Sequence, residues 1–357
     1  MRRSRSLLAL AAAVACGAPP AAPPATGAPA GPPPPASTAT PGAPAPVAGA
    51  APAPPGPAPP PDPWAGTSFP PPDSPPLHPA SAVAGDGHWV RLGDASRGDR
   101  AAQDPPPLFQ ATVHPHPLSR YKKVVAVAMD LKLLGLHLVA GTEDPESAEV
   151  PVSARPGTVA AVHRDSVVAV FNGGWQAKHG RWGMKIGEHR LLPPRADACT
   201  IAIYRDGRVR IAAWQALAPT EPEMAAYRQT PPCLLEGGEL HPRLEAHDER
   251  PWGGLDPKIV TRRRSALAVD ASGRVLLYGY GDEAGTRDLA LGLRALGAVA
   301  AAKLDLNFHW VRFLLVGGPP GEPARITSTL VPQMPHRARG YVERPEPRDF
   351  FYVALRE

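Results

Sequence analysis

Cysteine is scarce in this 357-residue chain, which has only Cys16, Cys199 and Cys233. No Cys-x-x-Cys pair and no histidine cluster stands at ligand spacing, so nothing suggests zinc, and no cofactor is assigned. Long apolar runs are missing too. The run from Leu7 to Val14 is too short to cross a bilayer as a helix. Net charge is small: 38 Lys and Arg against 33 Asp and Glu give +5, and setting aside Arg2, Arg3 and Arg5 of a leader leaves +2. A basic nucleic-acid-binding surface is therefore not indicated. No internal repeat is visible. Strands and helices do not alternate regularly, which argues against a doubly wound parallel sheet.

Proline is abundant, with 50 residues. Residues 17–104 are dominated by Pro, Ala and Gly, as in Gly31-Pro32-Pro33-Pro34-Pro35. Proline donates no backbone hydrogen bond, and Ala and Pro offer little apolar area to bury. The segment is predicted to be a disordered tether of polyproline-II character, about 200 Å or more in reach if extended. Before it, Arg2, Arg3 and Arg5 precede the apolar run, and Ala13-Val14-Ala15-Cys16 follows. That order predicts a signal peptide over 1–15 and a bacterial lipoprotein cleavage site with lipid on Cys16, the tether joining membrane to domain. Ordinary leader cleavage with Cys16 incidental is the alternative. The expected division is leader 1–15, lipidated Cys and linker 16–104, and one folded domain 105–357, expected to hold together without the linker. In an exported chain Cys199 and Cys233 could be bridged or be two buried thiols.

The folded part reads as strand-rich. Leu131/Leu133 and Leu136/Leu138 alternate as two strands around Leu134-Gly135. Val167 to Phe171 is a buried strand that stops at Asn172-Gly173-Gly174, a turn expected to need positive φ. Cys199–Tyr204 and Arg208–Ala213 form a hairpin around Asp206-Gly207, and Ala266–Val269 with Arg274–Tyr280 form another. Leu289, Leu293 and Leu296 have helical spacing, closed by Gly297. Lys303 to Val316 alternates as one long strand. The fold class expected is α+β: a single domain with a largely antiparallel mixed sheet and a few packed helices.

Several polar residues interrupt these apolar patterns. In order they are Phe171-Asn172-Gly173-Gly174, Tyr227-Arg228-Gln229, Arg264-Ser265 ahead of a strand, and Leu304-Asp305 after the helix. This ordered set, over roughly 108–316, resembles the phosphodiester glycosidase family. The resemblance implies hydrolysis of a glycosidic bond to a phosphodiester, in envelope or extracellular polysaccharide. The family pattern Leu-Asp-Gly-Gly-Gly-Ser stands here as Leu304-Asp305-Leu306-Asn307-Phe308-His309. The Asp is kept and the glycines are not. Either Asn307 and His309 make contacts in their place, or the site is inactive and the protein only binds a glycan or polyanion.

The chemistry needs an anion clamp, a carboxylate to activate water or attack the anomeric carbon, and polar groups for the sugar. A phosphate leaves readily, so leaving-group acid is less needed than in ordinary glycosidases. The expected assignments are Asp305, Asn172 and His179 as catalytic residues. Arg264 and Arg228, with Gly173, Gly174, Asn307 and His309, are expected to bind substrate. Asp305, Asn307 and His309 would form a polar row on one strand face, opposite Leu304 and Leu306. Trp175 and Trp182 could stack on a sugar or pin their own loop. Glu188 and Glu236 are reserve carboxylates, and Asp130 belongs to a strand end.

Overall fold

The structure is a computed structural model, and it describes residues 64–253, 263–319 and 321–356. The leader, Cys16 and the first part of the Pro/Ala segment lie outside the described residues.

The chain is α+β, built on three sheets whose ladders are all antiparallel among the described residues. The largest has eight strands. At its centre the strands Leu108–Val113, Lys123–Asp130, Val275–Asp282, Arg264–Asp270 and Ala298–Leu306 lie side by side in that order. Two five-stranded sheets cover one face. One is centred on Met224–Thr230 and Cys199–Tyr204, the other on Val167–Asn172 and Phe350–Leu355.

Alternation along the large sheet feeds two cores. Val125, Val127 and Met129 face the smaller sheets, whereas Val124, Ala126 and Ala128 face the helix Thr286–Ala295. The strand is buried on both faces, which is why it reads as a continuous apolar run. The helix face is unusually small: Ala126, Ala128, Ala266, Ala268 and Ala301 all point there. A Cβ on Gly292 would meet Val124 Cβ at 2.9 Å, so helix and sheet approach more closely than an alanine there would allow.

Both predicted hairpins form, over Cys199–Tyr204 with Val209–Ala213 and over Arg264–Asp270 with Val275–Asp282. Cys199 and Cys233 are bridged, closing a separation of 34 residues. Three expectations are corrected. The segment around Leu134-Gly135 is not a pair of adjacent strands. Lys123–Asp130 belongs to the large sheet and Leu134–Val139 to a small one, and the change of sheet falls at 131–133. Lys303 to Val316 is likewise not one strand. Ala298–Leu306 ends in the large sheet, Phe313–Gly317 starts in a small one, and Asn307 turns the chain by accepting a hydrogen bond from His309 N at 2.8 Å.

The third correction concerns the linker. Residues 64–104 are folded onto the domain. Trp89 is 5% exposed and packs in the helix-side core, and Leu92 and Ala101 join the other core. Asp86 pairs with His114 at 2.7 Å, both side chains buried. The composition of 64–104 hides this, because a few anchoring side chains, not an apolar period, hold the segment down.

Candidate active site

Asn172 is the last residue of its strand, and it crosses from a small sheet to the large one. Its Nδ2 donates to Ser265 Oγ and Gly173 O, each at 2.9 Å. Its Oδ1 accepts from Tyr278 OH at 2.9 Å and Arg312 N at 3.2 Å. With these groups engaged inside the protein, Asn172 fixes the join between two sheets.

Neither Gly173 nor Gly174 has positive φ, contrary to the expected turn. They are needed for close approach instead. A Cβ on Gly173 would fall 2.1 Å from Asp349 Oδ2, and one on Gly174 would fall 2.9 Å from Arg228 Cζ. Asp349 Oδ2 accepts from Gly174 N and from Arg228 Nε, both at 2.9 Å. Arg228 is fully buried, and its other donors go to the carbonyls of Trp182, Gln229 and Trp175. It holds the loop after Asn172, with four of its five N–H groups engaged and its side chain closed off from solvent. Its expected clamp role is corrected on that ground.

Asp305 owes its direction to an irregularity. Ala266 pairs with Lys303, but Arg264 pairs with Leu306, so the Asp305 strand carries one extra residue. A bulge of this kind re-aims side chains. Lys303 stays on the helix side, donating to Trp252 O and Thr286 Oγ1. Asp305 turns to the Asn172 side, where its N lies 3.4 Å from Ser265 Oγ and its Oδ2 lies 2.8 Å from Arg348 Nη2. That contact is an ion pair set off-line as a hydrogen bond. Burial pushes the Asp305 carboxyl up, opposed by Arg348 and the Leu306 N–H and reinforced by Asp349.

These residues line a tight pocket with Trp310, Tyr341 and Glu346. It encloses about 10 Å³, room for one water. Arg348 Nη2 also donates to Gly174 O at 2.9 Å, and its guanidinium lies 4.9 Å from the Trp310 ring. Arg312 approaches the same ring at 5.1 Å. A larger cleft of about 680 Å³, with His137, His163, Arg205 and Arg356 in its wall, shares no residue with this pocket.

Of the predicted site residues, Asn172, Gly173, Gly174 and Asp305 come together. Arg264 does not join them. It leaves the opposite face of the sheet, where Nη1 donates to Ala284 O at 2.7 Å. There it faces Glu249, which receives the N–H groups of Thr286 and Arg287 at the helix start. Burial pushes Glu249 up, but those N–H groups and Arg264 outweigh it and hold the carboxyl low. His179 is exposed, outside the pocket, and its carbonyl accepts from Trp182 Nε1. Asn307 and His309 are exposed in the turn, so the expected polar row is absent. Trp182 pins its own loop beneath Arg195, Glu188 is exposed, and Glu236 accepts from Ala213 N. Asp130 is tied to Arg274 by two hydrogen bonds.

Sequence reasoning missed Ser265 as a partner of Asn172, and Glu346, Arg348 and Asp349 altogether. A signal exists for the last three. Glu346-Pro347-Arg348-Asp349 is a charged stop before the apolar strand Phe350–Leu355. That strand runs antiparallel to Val167–Asn172, with Phe350 opposite Asn172. The residues leading into Phe350 must therefore lie beside those leaving Asn172.

No family model and no curated protein matches the chain. Among solved structures it is similar to the zebrafish N-acetylglucosamine-1-phosphodiester alpha-N-acetylglucosaminidase catalytic domain auto-inhibited by its pro-peptide. Identity is 15% over 79% of this chain and 97% of that one, with a TM-score of 0.43. It is also similar to a hypothetical protein from Synechocystis, at 13% identity over 70% of this chain and 62% of that one, TM-score 0.43. Likeness at this distance assigns neither activity nor substrate.

Proposed function

We propose that the protein hydrolyses the glycosidic bond of a sugar-1-phosphodiester in envelope or extracellular polysaccharide. The observation that carries this reading is the bulge that turns Asp305 into one pocket with Asn172, against Arg348. In this mechanism water attacks the anomeric carbon, the C1–O bond breaks, and the electron pair leaves with the phosphate. Asp305 takes the proton from water, and its raised basicity suits that task. Arg348, in place of Arg264, balances the leaving phosphate, a planar donor fork suited to paired oxygens. Asn172 positions the pocket floor.

The test is hydrolysis of an N-acetylglucosamine-1-phosphate methyl ester in ¹⁸O-labelled water. Label should enter the sugar and not the phosphate, because C1–O is the bond that breaks. Label in the phosphate would contradict the reading. A second reading, a glycan- or polyanion-binding protein without turnover, is favoured by the one-water size of the pocket and by the contacts Arg348 already makes. Binding of the ester with no product formed would decide for it.

Export with a lipid on Cys16 belongs to the same proposal. It is supported by the leader pattern and by the bridge between Cys199 and Cys233, since disulfides persist in oxidising compartments. Cys16→Ser should move the protein from the membrane to the soluble fraction. Identical soluble fractionation of both forms would contradict the anchor.

A further inference from the structure

We propose that Glu346 is a second catalytic carboxyl of this pocket, able to protonate a departing oxygen, so that glycosides with alcohol leaving groups are also substrates. The inference rests on the hydrolase reading above and extends it to a leaving group that a phosphate-specific site would not release.

Glu346 is 9% exposed and lines the pocket with Asp305. Its backbone is held at both ends: N donates to Gly157 O at 2.8 Å, and O accepts from Thr142 N at 3.1 Å. Gly340 makes room for the side chain, because a Cβ there would lie 2.9 Å from Glu346 Oε1. The backbone is thus fixed, and among the described residues no side-chain or backbone group donates a hydrogen bond to the carboxyl. The three carboxyls of the pocket differ in compensation. Asp349 meets Arg228 at 2.9 Å and Asp305 meets Arg348 at 2.8 Å. Glu346 has Arg312 only at 3.7 Å, and that guanidinium donates to His309 O and Tyr341 OH.

Other charged or titratable neighbours in the pocket are Arg348, Asp305, Asp349 and Tyr341, with Arg337 adding positive charge nearby. The least compensated carboxyl is the one to keep a proton. Burial pushes Glu346 up, against Arg312 and Arg337. Asp349 Oδ1 is also buried and unpartnered in this wall, so the pocket has acceptor capacity beyond what the fold uses.

The step balances. Water adds to the anomeric carbon, the C1–O electron pair goes to the departing alkoxide oxygen, and the Glu346 proton goes to the same oxygen, releasing an alcohol. The proton of the attacking water goes to Asp305, and solvent resets both carboxyls.

The experiment compares N-acetylglucosamine linked to methyl phosphate, to 4-nitrophenol and to methanol, for wild type, Glu346→Gln and Glu346→Asp, with melts to confirm folding. Wild type should cleave all three. Glu346→Gln should lose about 10²–10⁴-fold on the methyl glycoside, the size of a general-acid effect, and markedly less on the phosphodiester, whose leaving group needs little protonation. Its pH profile on the methyl glycoside should also lose the basic limb, and Glu346→Asp should recover part of the rate. Equal loss on all three substrates would make Glu346 a positioning residue and overturn the inference. Wild-type cleavage of the phosphodiester alone would overturn the inference and leave the hydrolase reading standing. Failure on the phosphodiester itself would overturn that reading and the inference with it.

Discussion

The pair Arg228–Asp349 is buried to the last atom, and it sets how the loop after Asn172 sits. Breaking one side of a buried pair leaves a charge without its partner, which typically costs about 3–5 kcal/mol. Asp349→Asn should therefore lower the free energy of urea unfolding by about that much, whatever its effect on activity. His179→Ala, on an exposed loop outside the pocket, should stay within about 0.5 kcal/mol and leave turnover unchanged. Glu346 adds a pH signature. Its carboxyl is raised in the folded state, so its contribution to stability is complete below the unfolded value, about 4, and is lost as pH rises through the folded value. Between pH 4 and 7 the stability of Glu346→Gln relative to wild type should rise. A difference independent of pH would contradict the burial of that carboxyl. At this scale the sequence marked the residues that interrupt apolar strands, Asn172 and Asp305. It offered Glu346, Arg348 and Asp349 only as a charged stop before a strand, because their place beside Asn172 is set by an antiparallel pairing made 178 residues apart, as Phe350 opposite Asn172 shows.

Strands and hairpins were legible where the turn chemistry was local, as at Asp206-Gly207 and Ser272-Gly273. They were not legible where the chain leaves one sheet for another, because alternation continues across the break and only the partner strands differ. The 131–133 and 307–312 crossings are both of this kind. The bulge at Leu304–Asp305 was invisible for a related reason: one extra residue on one strand is defined only against its partner. The segment before 104 was misread because its fixing points are sparse. A chain starting at Gln103 would lose Trp89, Leu92, Ala101 and the Asp86 partner of buried His114. Its melting temperature should fall by tens of degrees, or its unfolding should cease to be cooperative, whereas a chain starting at Trp64 should melt like the full protein. Equal melts for all three would show that the packing of 64–102 contributes little.

Across the whole molecule, the large sheet separates a helix-side core from the core shared with the smaller sheets, and the pocket lies where Asn172 joins the two layers through Ser265 and Tyr278. The Cys199–Cys233 bridge adds a covalent constraint worth about 3–4 kcal/mol for a loop of this length. Asp305 and Arg348 face each other in that pocket. The most direct measurement is steady-state turnover of the N-acetylglucosamine-1-phosphate methyl ester by wild type, Asp305→Asn and Arg348→Ala, each shown to be folded by its melt. Wild type should turn the ester over. Asp305→Asn should lower kcat with little change in KM, and Arg348→Ala should lose about 3–4 kcal/mol of transition-state stabilisation. Near wild-type turnover by folded Asp305→Asn would rule out Asp305 as the group that activates water.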